Sequence, residues 1–451
     1  MKSIHAIIGQ VTERKHFKRS VGALAIAAAV ILTSGIRHAG AQTVTTPNRA
    51  ADFTWSLGVG VHLGAYNGPY ASLPSIFTAL NFIGTKHLRD SVKTTTWDIA
   101  RVKQLGAAGY KFDYILAQPP ATYLASLYQV APDLEYLEGP NEVDVSHFPY
   151  AGLTSIPAGV TFQKILYPQS KLDSVLHKVP VLNFTIAGWG TTTQAGDLTS
   201  SADYGNYHFY PWVGHTPSQE LAKSIVDKTD VRGKPLIATE TGFSTLQWNP
   251  QYATSRNAEG CSEEVQAKDL LDDIFDMYHA HNYRIYLYEL VDEAYDSANT
   301  NLEYHFGLFR TDWSPKPSAS ALHNLQAILA DSAANKGTFT PSPLTYTLTD
   351  TTATGPIDFT KFSGVLQKAD GTTDIAVWAE PQLWDATNHI ALPTAPAHSV
   401  QLVLPTAARA INVYDPMVGT TLSTSMVKSL SNVSRISFYV VDHPIIVEIL
   451  R

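Results

Sequence analysis

Short runs dense in apolar and β-branched residues recur along the first three-quarters of the chain. Longer stretches with apolar positions three and four apart separate them. The short runs predict strands near Thr54–Val61, Thr85–Arg89, Lys111–Ala117, Leu134–Leu137, Leu182–Ala187, Tyr204–Tyr210, Pro235–Thr239 and Arg284–Glu289. The spaced stretches predict helices, among them Thr96–Ala107, Glu220–Asp227 and Glu263–His279. From the first strand to Ala330 the alternation spans about 275 residues, close to the ~250 of a (β/α)8 barrel. A doubly wound sheet is the structural rival, but no G-x-G-x-x-G turn follows the first strand.

Beyond Ala330 the pattern changes. Residues 335–356 are dense in Thr, Ser, Pro and Gly with no helical period. Alternating runs follow at Asp374–Ala379, Ser399–Leu404, Ala410–Tyr414, Arg435–Val441 and Ile445–Leu450. Turn residues at short intervals between such runs predict an antiparallel β-sandwich. The reading divides the chain into a leader at 1–41, a barrel at 42–335 and a sandwich at 336–451. For the sandwich, packing beside the barrel is the simpler role, since a fold alone does not carry sugar binding.

The leader is read from its charge and apolar run. Lys2, Arg14, Lys15, Lys18 and Arg19 face a single acid, Glu13, and an apolar stretch follows from Val21 to Leu32, with Ala39-Gly40-Ala41 after it. That order predicts a signal peptide and export; the apolar stretch is too short to span a bilayer. No integral membrane segment is expected once it is removed. The rest keeps 26 basic and 39 acidic residues, a net charge of −13 with histidine neutral. Nucleic-acid binding needs a concentrated basic face and is not expected. Cys261 is the single cysteine, so no internal disulfide can form. The oligomeric state is not legible.

Two glutamates carry the chemistry. Glu142 closes L-E-G-P-N-E (137–142) and Glu240 stands in K-P-L-I-A-T-E-T-G (234–242). Each sits where a strand gives way to loop, the rim on which barrels keep reacting groups. By strand count they follow the fourth and seventh strands, across the barrel mouth from one another. Glycoside hydrolysis needs two such carboxyls, one to protonate the leaving oxygen and one to attack the anomeric carbon.

With Asn141 preceding Glu142, the pattern resembles clan A of the glycoside hydrolases, the 4/7 superfamily, and its families 5 and 39 in the barrel motifs. Its members commonly carry an Arg ending the second strand and His-x-Tyr after the sixth, and Arg89 and His208-Phe209-Tyr210 match. The likeness runs from about Thr54 to Ala330. It implies Glu142 as acid/base and Glu240 as nucleophile of a retaining mechanism on β-linked sugars, with Asn141 on the sugar 2-hydroxyl. Arg89 would keep the nucleophile ionised and Tyr210 would orient it. The clan's usual Trp on the eighth strand is absent, and Tyr288 is its substitute; His62 and Trp212 are further sugar-binding candidates. Glu138 is expected as a barrel-interior ion-pair partner, and Glu289, Asp292 and Glu293 as rim groups.

The expected partner is a carbohydrate substrate. The sequence has no H-E-x-x-H, Cys/His cluster, Walker loop or EF-hand, so no cofactor and no metal is implied. Three alternatives stay open: a transglycosidase, which would share every residue named, a catalytically inactive sugar-binding barrel and, weakest for want of a ligand set, a metal-dependent hydrolase.

Overall fold

The structure is a computed structural model that describes residues 42–188, 192–228, 230–250, 260–352 and 355–451. The expected signal peptide lies outside the described residues. Seven parallel strands form a curled sheet in the order Leu134–Glu138, Lys111–Ile115, His87–Ser91, Leu57–Gly60, Asn282–Leu287, Leu236–Thr241 and Gly205–Phe209. Helices join them. Thr95 accepts from the Asp98 amide to start Thr96–Ala107, and Ser262 from the Val265 amide to start Glu263–His279. The strands' apolar side chains merge with those of the helices in one large core.

Seven of the eight expected strands are present, most within two residues of the expected bounds. The first is shorter, because Ala50–Ser56 is helical: Ala50, Phe53 and Leu57 are buried at helical spacing, and the Thr54 and Ser56 hydroxyls bond back three residues. The fifth expected strand, Leu182–Ala187, contributes only single parallel bridges, Val181 to Leu137 and Leu182 to Tyr204, so the sheet is not a continuously closed barrel. Side chains take over its backbone groups. Gln163 donates to the Leu182 carbonyl and accepts from the Phe184 amide, while Asn183 and Asn206 bond reciprocally to each other's main chain. Polar side chains thus do what a strand ladder does elsewhere.

The C-terminal part is β-structure, as expected, and its pairing forms one connected eight-stranded sheet. The long strands His398–Tyr414 and Met426–Val440 pair along their length, with a register shift between Val403 and Ala408. On one side of that shift His398–Tyr414 also pairs with Leu344–Asp350, and on the other with Ile445–Leu450. An apolar core of its own includes Leu348, Val377, Leu402, Ile411 and Phe438. The sheet also takes two strands from residues read as barrel: Thr43–Thr45 pairs with Leu344–Tyr346, and Asn48–Arg49 with Leu366–Gln367.

A buried acidic seam joins the two parts. Asp269, Asp272, Asp273 and Asp276 of the Glu263–His279 helix are all buried. Trp378 Nε1 donates to Asp276 at 3.0 Å, and Lys268 pairs with Asp442 at 3.1 Å. Glu380 lies near enough to Asp276 to raise its carboxyl, and Asp276 Oδ2 and Glu380 Oε1 are buried with no hydrogen-bond donor among the described residues. No described helix is long and apolar enough to cross a membrane.

Candidate active site

The C-terminal ends of the parallel strands bring Arg89, Glu138, Asn141, Glu142, His208, Tyr210 and Glu240 into one hydrogen-bonded group. The Arg89 guanidinium is its hub. Nε and Nη2 donate to the two Glu138 oxygens at 2.7 and 2.8 Å, Nη1 to Glu240 Oε1 at 2.5 Å, and Nη2 also to Asn141 Oδ1 at 2.7 Å. Glu138 is wholly buried, the interior ion-pair partner the strand pattern implied. Tyr210 donates its hydroxyl to Glu240 Oε2 at 2.6 Å. His208 Nδ1 lies 2.9 Å from Glu142 Oε1 and 3.3 Å from Glu240 Oε2.

Each glutamate is placed by its backbone. Glu240 is the last residue but one of Leu236–Thr241, the strand between Gly205–Phe209 and Asn282–Leu287, and a β-carbon at nearby Gly242 would collide with the Tyr288 carbonyl. Glu142 sits in the turn after Leu134–Glu138 with φ of 42°, a conformation rare for a side-chain-bearing residue. The Thr185 hydroxyl holds its amide at 2.9 Å and the Thr185 carbonyl accepts from Val143. Gly139 lets that turn approach closely, for a β-carbon there would meet the Phe184 amide at 2.5 Å.

Burial alone would raise the Glu240 carboxyl. The charges of His208 and Arg89 and the hydrogen bonds of Tyr210 and Arg89 outweigh it and hold the group below the ordinary glutamate range. Glu142 is more exposed than Glu240, its side chain 24 % accessible against 11 %. One carboxylate is therefore locked and ionised, and the other faces solvent with a histidine behind it.

A second group adjoins this one. His62 Nε2 lies 3.2 Å from Glu289 and 3.4 Å from Glu293, with its ring edge-on to Tyr70 and Tyr288. Burial works against its proton, but bonding and charge from Glu289, then Asp90 and Glu293, raise it to about 9. Tyr70 Oη donates to Glu289 at 2.6 Å. Glu289 is a correction to the rim reading: it is wholly buried, and burial raises its carboxyl to about 7 against the pull of His62. The chain turns inward there, with Leu290 N bonding the Gly60 carbonyl. Asp292 is buried too, paired with Lys316 at 2.7 Å.

Tyr288 packs among Tyr210, Phe306 and His62, and its hydroxyl reaches Glu293 at 3.3 Å. Trp212 sits outside the hydrogen-bonded group, exposed on the loop after Gly205–Phe209, its amide on Glu220. Sequence reasoning missed Tyr70, Phe306 and Glu303, which lie in or beside the single 3-10 turns Pro69–Ala71 and Leu302–His305, with no motif to mark them. A cavity of about 360 Å³ beside the group is lined by His62, Tyr70, Asp90, Lys93, Glu293 and Tyr304. A larger one of about 1160 Å³ opens around Trp55, Lys86, Tyr283 and His323, at the strands' other ends. The titratable groups, not volume, mark the first as the working end.

Among the described residues two triads have ligand atoms within 4.8 Å of one another, close enough for a cation: Glu142, His208 and Glu240, and His62, Glu289 and Glu293. In the first, Arg89 and Tyr210 already occupy both Glu240 oxygens, so a metal would have to compete with a guanidinium.

No family model and no curated protein sequence matches the chain. Solved structures do. A monomeric β-xylosidase from Caulobacter crescentus CB15 aligns with a TM-score of 0.56 at 12 % identity, over 90 % of this chain and 97 % of that one. The GH39 enzyme from Xanthomonas axonopodis pv. citri gives 0.55 at 12 %, over 93 % and 99 %. A family 39 glycoside hydrolase from Bacteroides cellulosilyticus WH2 gives 0.55 at 14 %, over 89 % and 82 %. The chain shares their fold. At these identities the likeness speaks for the architecture, including the C-terminal β-structure that the alignments cover.

Proposed function

We propose that the protein is a retaining glycoside hydrolase acting on β-linked sugars, with Glu240 as nucleophile and Glu142 as acid/base. The observation that carries the reading is the spacing of the pair. One carboxylate oxygen of Glu142 and one of Glu240 lie within 4.8 Å of each other, with His208 Nδ1 between them, a closeness that favours the ~5–5.5 Å between carboxyls of retaining enzymes over the ~6.5–9.5 Å of inverting ones.

In this reading Glu142 gives its proton to the glycosidic oxygen as Glu240 attacks the anomeric carbon, forming a glycosyl ester. Glu142 then takes a proton from the water that opens the ester. Tyr210 and Arg89 keep the Glu240 lone pairs oriented, and Asn141, held by Arg89, is free through its amide to bond the sugar 2-hydroxyl. Tyr288 supplies an aromatic wall. The same residues would serve transfer to a sugar acceptor, and the ratio of transfer to hydrolysis products separates the two. We place the catalytic part at 50–335 and the accessory β-part at 336–451 together with the strands Thr43–Thr45 and Asn48–Arg49, and assign residues 1–41 to export, a reading that N-terminal sequencing of exported protein would test.

The deciding experiment is Glu240→Ala with added azide. Loss of nearly all turnover, with partial rescue giving an α-configured glycosyl azide, is the expected result. A 2-deoxy-2-fluoro glycoside that labels Glu289 or Asp292 instead of Glu240 would overturn the assignment.

A further inference from the structure

The cleft beside the glutamate pair is walled by carboxylates. Tyr288 Oη donates to Glu293 Oε1 at 3.3 Å, and Glu303 lies close to the same hydroxyl, in the field of Glu240, Glu142 and Glu293. The Tyr288 ring centroid is 6.4 Å from that of Tyr210, whose hydroxyl holds Glu240. Glu293 and Glu303 therefore stand one tyrosine away from the carboxylate that would receive the sugar.

The cations around this wall are already engaged. Arg89 serves Glu138 and Glu240, His62 serves Glu289 and Glu293, and Lys93 holds Asp90 at 2.6 Å. A sugar hydroxyl can donate to such carboxylates, which accept several hydrogen bonds each. A sugar carboxylate would meet like charge with no uncommitted partner among these groups.

We infer that the site accepts neutral glycones and turns away uronates, with Glu293 and Glu303 as the discriminating residues; the inference rests on the hydrolase reading above. The groups facing Glu303 are Tyr288, Glu293, Glu240 and Glu142. Glu303 keeps an exposed edge, yet the protein packed around its carboxyl first, then the charges of Glu240, Glu142 and Glu293, raise it to about 6. A uronate stays ionised there, so discrimination should weaken as pH falls through that range.

The experiment has a binding arm and a turnover arm, both on the full chain. Inhibition and binding constants are measured for methyl β-glucoside, β-xyloside and β-galactoside against methyl β-glucuronide and β-galacturonide, and turnover for the matching aryl glycosides. Neutral ligands should bind at least tenfold tighter. Glu303→Gln and Glu293→Gln should each narrow the gap roughly fivefold, the scale of one like charge removed from a partly solvated cleft. Glu303→Lys should narrow it further. A uronate that binds wild type as tightly as its neutral counterpart, a wild type that binds neither class, or a gap unmoved by all three substitutions would overturn the inference. Selective binding of neutral sugars with no turnover of any aryl glycoside would sustain it and overturn the hydrolase reading alone.

Discussion

The Arg89 guanidinium holds Glu138, Glu240 and Asn141 at once, so its removal acts on both stability and chemistry. In Arg89→Met, Glu138 is left buried and unpaired, and thermal or urea unfolding should register a loss of about 3–5 kcal/mol. Adding Glu138→Gln should recover part of it. The same variant loses one of the charges that hold Glu240 down, so the acidic limb of kcat/KM should move to higher pH. Tyr210→Phe is the gentler probe. It removes a hydrogen bond to a charged group, worth about 1.5–3 kcal/mol, and should lower kcat/KM roughly tenfold to a hundredfold with an upward shift of the same limb. A fixed acidic limb in both folded variants would place the nucleophile elsewhere.

At the scale of elements, the interruption at Leu182–Ala187 separates what the sequence discloses from what it conceals. Apolar periodicity located the other seven strands because burial on a sheet selects residue types directly. It also pointed to a fifth, since Val181, Leu182, Phe184 and Ile186 are buried there. Whether the backbone pairs with its neighbours depended on Gln163, Asn183 and Asn206, whose amides are silent in a hydropathy pattern. Glu142, Glu240, Arg89 and Tyr210 were legible because each lies near or just beyond the C-terminal end of a strand, whose position fixes which way the rim faces. Tyr70, Phe306 and Glu303 were not, for they reach the cleft from loops and single turns whose paths tertiary packing decides. The substitution Gln163→Ala leaves the Leu182 carbonyl and Phe184 amide without their partner; it should cost about 1–3 kcal/mol and lower activity through the Thr185 contact to Glu142. Unchanged stability would mean the bridging backbone finds other partners.

The whole molecule should respond to pH through its seam. Burial, then bonding and charge from Glu380, raises Asp276 to about 10, and burial raises Asp273 to about 8. The folded state keeps these protons where an unfolded chain, with carboxyls near ~4, has released them. Their contribution is complete at low pH and is lost as pH rises from the ordinary carboxylate range through 8 and 10. His443, raised to about 9 by Asp415 and Asp442 against its burial, acts in the same direction. Tm should therefore fall as pH rises from 5 to 10. Asp276→Asn, which supplies a permanent donor to Glu380, should flatten the decline; an unchanged slope would remove the seam as its cause.

The strands Thr43–Thr45 and Asn48–Arg49 are made early on the ribosome, yet their partners Leu344–Tyr346 and Leu366–Gln367 come some three hundred residues later. At ~5–20 residues per second of synthesis that is a wait of about 15–60 seconds. Through that interval the nascent chain carries two strand segments without their partners, available to chaperones or to neighbouring chains. Completion of the C-terminal sheet is the event that retires them, so a chain stopped at residue 335 should be prone to association even if its parallel sheet has formed.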